Sequence, residues 1–128
     1  MNSSLFWKNF NLGKELEISG AFIYNGLYRL HEIQTLYYDE EIFEVFYNLS
    51  VGLERLLKIA IILIEHDENM DQEKFEKSLI SHNHLDLLKR VKNKHSINIS
   101  TQHNELLSLL SNFYKKSRYG RYSIDSVF

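Results

Sequence analysis

The chain contains no cysteine and no proline, and only five of its 128 residues are glycine. Without cysteine there can be no disulfide, no thiolate metal site and no cysteine nucleophile. A β-rich or loop-rich domain of this length would carry more glycine and proline at its turns, so their scarcity points to a few long helices with short connections. No apolar run approaches the roughly 18 residues that a membrane span requires. The longest, Ile59-Ala-Ile-Ile-Leu-Ile64, has six. The first residues, Met1-Asn-Ser-Ser-Leu-Phe-Trp-Lys, show no basic stretch followed by an apolar one. Nothing therefore suggests export, and a cytoplasmic location is the simplest expectation.

Catalytic signatures are equally scarce. There is no glycine-rich phosphate loop, no G-x-S-x-G elbow, no His-Glu-x-x-His and no Glu-x-x-His pair. Neither a metal nor a cofactor is expected. His82 and His84 are two residues apart, a spacing that puts them on different faces of a helix. Glu65-His66-Asp67 is a mixed polar cluster at a loop.

What is present is the balance of a soluble globular domain, 44% hydrophobic and 25% charged, with a length that fits one domain spanning residues 1–128. The net charge of −2 conceals an imbalance: Met1 to Asn83 carries 7 basic and 14 acidic side chains, His84 to Phe128 carries 8 and 3. Such asymmetry marks either a phosphate-facing surface or complementary helix faces within one bundle.

Helical periodicity runs from Leu12 to Ile33, with Leu12, Leu16, Ile23, Leu27 and Leu30 as the expected inner stripe and Asn11 as a candidate cap. Gly20 and Gly26 each cost about 1 kcal/mol in a helix interior, which close approach of another helix would offset. Asp39-Glu-Glu opens a second long helix, since early acidic residues suit the positive end of its dipole. Its stripe is Ile42, Phe46, Leu49, Leu53, Leu56, Ala60 and Leu63. Toward Ile64 the helix becomes apolar nearly all round, which predicts deep burial or a dimer interface. Strand is the competing assignment for Ile59–Ile64, where β-branched residues are dense.

Asp71 can cap a short helix from Gln72 to Ile80. Another begins at His82-Asn-His-Leu with Leu85, Leu88 and Val91 on one side. Ser100 or Thr101 can cap a last helix with Leu106, Leu109, Leu110, Phe113 and Tyr114 inside, ending between Arg118 and Gly120. The expected fold is all-α: an up-and-down helical bundle of two long antiparallel helices plus two or three shorter ones.

Three groups of residues can carry function. Tyr37-Tyr38, Phe43, Phe46 and Tyr47 form an aromatic cluster that either stacks bases or packs a core. Lys115-Lys-Ser-Arg-Tyr-Gly-Arg-Tyr122 alternates Arg118 and Arg121 with Tyr119 and Tyr122; arginine grips phosphate bidentately and tyrosine donates or stacks. A helix C-terminus also favours such cations through its dipole. Arg90-Val-Lys-Asn-Lys-His95 sets an arginine and a histidine five positions apart, one to hold a phosphate and one to move protons.

Three segments in order resemble HEPN domains. Glu44-Val-Phe-Tyr-Asn-Leu-Ser-Val-Gly-Leu-Glu-Arg-Leu-Leu-Lys-Ile59 resembles their second helix, with its Glu-x-x-Leu-Lys element at Glu54 to Lys58. His84-Leu-Asp-Leu-Leu resembles the opening of their third helix, and Tyr114-Lys-Lys-Ser-Arg-Tyr119 a stretch near the end of some members. The resemblance implies an α-helical, frequently homodimeric domain of bacterial defence or toxin–antitoxin systems that handles RNA or nucleotides. Many members are metal-independent ribonucleases with an Arg-x(4–6)-His motif. Here no histidine follows Arg118 or Arg121, and Arg90–His95 falls after the third helix and lacks the asparagine that often follows the arginine. Three functions from different classes are thus expected to compete. One is a module without strong catalysis that binds RNA, a nucleotide or a protein through Lys115, Arg118, Tyr119, Arg121 and Tyr122. The second is a ribonuclease using Arg90 and His95. The third is an antitoxin or immunity protein that masks a toxin.

Overall fold

In the computed structural model, which describes residues 3–116 together with Tyr122 and Ile124, every regular element is helical and no strand occurs among the described residues. The N-terminal run comprises α1 (Ser3–Phe6), a π-helical segment (Trp7–Asn11) and α2 (Leu12–Glu32). It is followed by α3 (Asp39–Glu65), α4 (Gln72–Ser78), α5 (His84–Lys92) and α6 (Thr101–Lys115). The bundle is the expected one, with two long helices and shorter ones packed around them.

The two long helices are antiparallel. Glu15 meets Arg55, Ser19 meets Gly52, Gly26 meets Leu49 and Arg29 meets Glu44, so the chain climbs one helix as it descends the other. The seam is built from small residues. Ser19 is fully buried and its hydroxyl donates to the Gly52 carbonyl at 2.9 Å. A Cβ on Gly52 would lie 2.6 Å from Ile23 Cγ1 and 3.0 Å from the Ile23 backbone nitrogen. One on Gly26 would lie 2.8 Å from Leu49 Cδ2. The close approach expected at Gly26 is therefore present, whereas Gly20 has nothing within 4 Å of its missing Cβ.

This seam corrects the expected stripe of α2. Its buried residues are Leu12, Ser19 and Gly26, while Leu16, Leu27 and Leu30 are about half exposed. The helix is oriented by how closely two backbones can approach, and bulky leucines on that line would hold them apart. Asn11 does not cap α2: the helical path continues into it from the π-helical segment, and its side chain makes no capping bond.

Ile59–Ile64 is helical, and Ile59, Ile61 and Ile62 are buried within the chain's own core. They pack with Leu12, Phe75, Leu87 and Val91, which brings α2, α4 and α5 onto the second half of α3. A second cluster joins Val45 and Leu49 of α3 to Leu110 of α6. Each fully buried leucine or isoleucine contributes about 1.5–3 kcal/mol. Leu56 and Leu63 of the expected stripe are exposed instead, as is Leu85 on α5, where Leu87 takes its place inside.

The short helices start where capping residues allow. Asp71 accepts from the Lys74 amide, Asn83 from those of Leu85 and Asp86, and Ser100 from that of His103. On α6 the inner residues are Leu110, Ser111, Phe113 and Tyr114, while Leu106 and Leu109 face outward. The helix ends at Lys115, ahead of the expected stop; Gly120 lies outside the described residues.

Candidate functional site

Arg90 is held by its neighbours on α3 and α4. Arg90 Nε and Nη2 hold the two oxygens of Glu65 at 2.7 and 2.8 Å. Nη1 donates to the Ser78 carbonyl at 3.0 Å, Nη2 reaches the Ser78 hydroxyl at 3.1 Å, and the guanidinium lies 5.7 Å from the Phe75 ring centre. All its nitrogens are thus engaged in fastening α5 to the end of α3 and to α4. His95 is exposed in the turn after α5, where its backbone N–H donates to the Val91 carbonyl at 3.1 Å. No hydrogen bond joins the two side chains among the described residues.

Of the basic C-terminal group, Lys115 is exposed at the end of α6 and Tyr122 is largely exposed. Arg118, Tyr119 and Arg121 lie outside the described residues. The aromatic cluster divides, with Phe43 and Phe46 half-buried and Tyr47 exposed. Phe43 and Phe46 meet the buried Phe113 edge-on, with ring centres 5.0 and 5.5 Å away. Tyr37 and Tyr38 remain exposed on the loop between α2 and α3.

The histidines divide by burial. His66 is buried beside Trp7 and Phe75, with Nε2 at 2.7 Å from Gln72 Oε1. His84 has no exposed surface. Its Nε2–H donates to the Ser50 carbonyl at 2.6 Å, its Nδ1 is buried without a hydrogen-bond partner among the described residues, and its backbone N–H reaches the Ser111 hydroxyl at 3.3 Å. Burial lowers its pKa below the ordinary 6.5; the Ser50 bond and Glu54 oppose the shift, and His82 and Lys58 add to it. His82 lies in the loop just before α5, and its Nδ1 lies 2.5 Å from Glu54 Oε1. Among the described residues, no three acidic or histidine side chains converge as a metal site would need.

A cavity lined by both charged and apolar side chains lies where no catalytic or binding motif in the sequence points. It measures about 450 Å³ and lies on one face of α3, between α2 and the Leu79–His82 stretch. Glu54, Arg55 and Lys58 line it from α3, Glu15 and Phe22 from α2, and His82 and Tyr114 close it from the other side. Glu54 is buried at 5% exposure and is held by His82 and by Lys58 Nζ at 3.4 Å. Arg55 Nη1 donates to both oxygens of Glu15, at 2.6 and 2.7 Å. Val51, Ile59 and Ile62 line the apolar part. The signal available in the sequence was the group Glu54, Arg55 and Lys58 inside the otherwise apolar Val51–Ile64 part of α3.

A second cavity of about 440 Å³ is almost wholly apolar, lined by Ile23, Leu27, Leu53, Leu106 and Leu110 with His103 at its edge. No described helix is long and apolar enough to cross a membrane. No family model matches the chain, and no curated protein or solved structure is significantly similar to it.

Proposed function

We propose that the chain is a HEPN-like helical module of a bacterial defence or toxin–antitoxin system that binds a phosphate-bearing ligand, RNA or a nucleotide, through its basic C-terminal region and without strong catalysis. One observation carries this reading: Tyr114, the residue just before Lys115 and Lys116, lines the cavity into which Arg55 and Lys58 project. Lys115 and Lys116 thus follow directly on the wall of a cavity that holds two cations and the two carboxylates paired with them. Arginines and lysines in such a stretch release counterions from a phosphate backbone, so binding weakens steeply with salt.

The ribonuclease alternative requires Arg90 to face a scissile phosphate, and its two hydrogen bonds to Glu65 weigh against that role. The dimer implied by the resemblance draws support from a different place than Ile59–Ile64, where Ile59, Ile61 and Ile62 are taken up by the core. Leu16, Leu27 and Leu30 form an exposed apolar stripe along α2 suited to a second copy.

Anisotropy titration of a labelled single-stranded RNA at low salt tests the proposal. Arg118→Ala combined with Arg121→Ala should weaken binding about tenfold or more, as loss of two phosphate contacts does. Unchanged affinity would remove the basic segment from the account.

A further inference from the structure

The cavity on α3 has more hydrogen-bond donors than its own carboxylates use. Arg55 spends one nitrogen on both oxygens of Glu15, and its other nitrogens have no hydrogen-bond partner among the described residues. The Lys58 ammonium makes one contact, the 3.4 Å pair with Glu54. His82 uses Nδ1 on Glu54 and leaves Nε2 without a partner among the described residues. Arg55 and Lys58 are three residues apart on one helix and therefore share a face. Both are partly withdrawn from water, at 38% and 25% side-chain exposure, over a floor of Val51, Ile59 and Ile62. Withdrawal from water strengthens the pull of both cations on an anion, and the carboxylates of Glu15 and Glu54 already paired with them compete for it. Phe22, Tyr47 and Tyr114 supply flat apolar walls. The volume of about 450 Å³ lies within the roughly 300–1,000 Å³ of small-molecule sites.

On the phosphate-ligand reading above, we infer that this cavity binds one nucleoside monophosphate unit, its phosphate on Arg55 and Lys58 and its base against the aromatic walls. The unit is either a free nucleotide or the 5′-phosphorylated end of an RNA strand. Glu15 is the internal competitor: its carboxylate sits on Arg55 where the phosphate binds, and an arriving phosphate displaces it.

Isothermal titration of AMP into the full chain at low salt tests the site, with adenosine as the uncharged control. AMP binds, and adenosine binds at least about tenfold more weakly, the worth of one charge-assisted hydrogen bond. Lys58→Met weakens AMP by a similar factor. Glu15→Gln tightens it, a gain that a merely structural role for Glu15 would not produce; melting temperatures confirm that both variants fold. Displacement of AMP by 5′-phosphorylated but not 5′-hydroxyl oligoadenylate assigns the strand end, and AMP binding without displacement assigns the free nucleotide. Absent AMP binding, equal binding of adenosine, or no gain from Glu15→Gln overturns the site. If RNA still binds and still depends on Arg118 and Arg121 in that case, the broader reading stands. If RNA does not bind either, both fall.

Discussion

His84 Nε2 lies 2.6 Å from the Ser50 carbonyl oxygen, joining the first turn of α5 to the middle of α3 inside the core. The imidazole is neutral there because burial disfavours its charged form. The unfolded chain takes up a proton near the ordinary value of 6.5, while the folded chain resists until lower pH. The stability held by this group is therefore complete above 6.5 and is lost as pH falls from there through the folded value. The melting temperature should drop on going from about pH 7.5 to about pH 5, with a slope of at most about 1.4 kcal/mol per pH unit from this one proton. His84→Gln should melt lower at neutral pH yet show a shallower acid slope. An unchanged slope would take the pH dependence away from His84.

Arg90 is expected to matter for stability rather than for chemistry. Arg90→Ala leaves Glu65 without its two donors and should cost about 1–3 kcal/mol in a urea melt, the scale of hydrogen bonds to charged groups. His95→Ala, at an exposed turn, should change stability by less than about 0.5 kcal/mol. Metal-free RNA cleavage that is abolished by both substitutions would contradict this division.

The seam between the long helices gives a steric prediction. Gly52→Ala sets a methyl against the Ile23 backbone nitrogen, which cannot rotate away, and should destabilise by about 1–3 kcal/mol. Gly26→Ala meets the end of the Leu49 side chain, which can shift, and the better helix propensity of alanine offsets part of the cost. Denaturant melts should place Gly52→Ala well below Gly26→Ala.

The exposed stripe on α2 predicts self-association. Sedimentation should give a dimer for the native chain and a monomer for Leu27→Lys, with the helical circular dichroism of both alike. A native monomer would remove the homodimer and leave the stripe to a different partner.

The positions of the long helices were legible because charge and apolar period agree: Asp39-Glu-Glu marks one start, and the unbroken pattern through Ile64 outweighs its β-branched density. Asp71 and Ser100 were legible as caps for the same local reason. The inner face of α2 was not, because Ser19 and Gly26 carry little hydrophobic signal and their burial depends on Gly52, far along the chain. The cavity was hidden by the same kind of distance. Glu54 pairs with a histidine 28 residues away and Arg55 with a glutamate 40 residues away, so no local spacing announces either. Arg90 shows the same dependence on distance, since its partner is a glutamate 25 residues upstream.

The most direct test of the whole account is amide chemical-shift mapping of the labelled protein with a short 5′-phosphorylated RNA at low salt. The account predicts perturbations clustered on Arg55, Lys58 and Tyr114 and continuing through Lys115 to Tyr122. Perturbations centred on Arg90 and His95, or none at all, would contradict it.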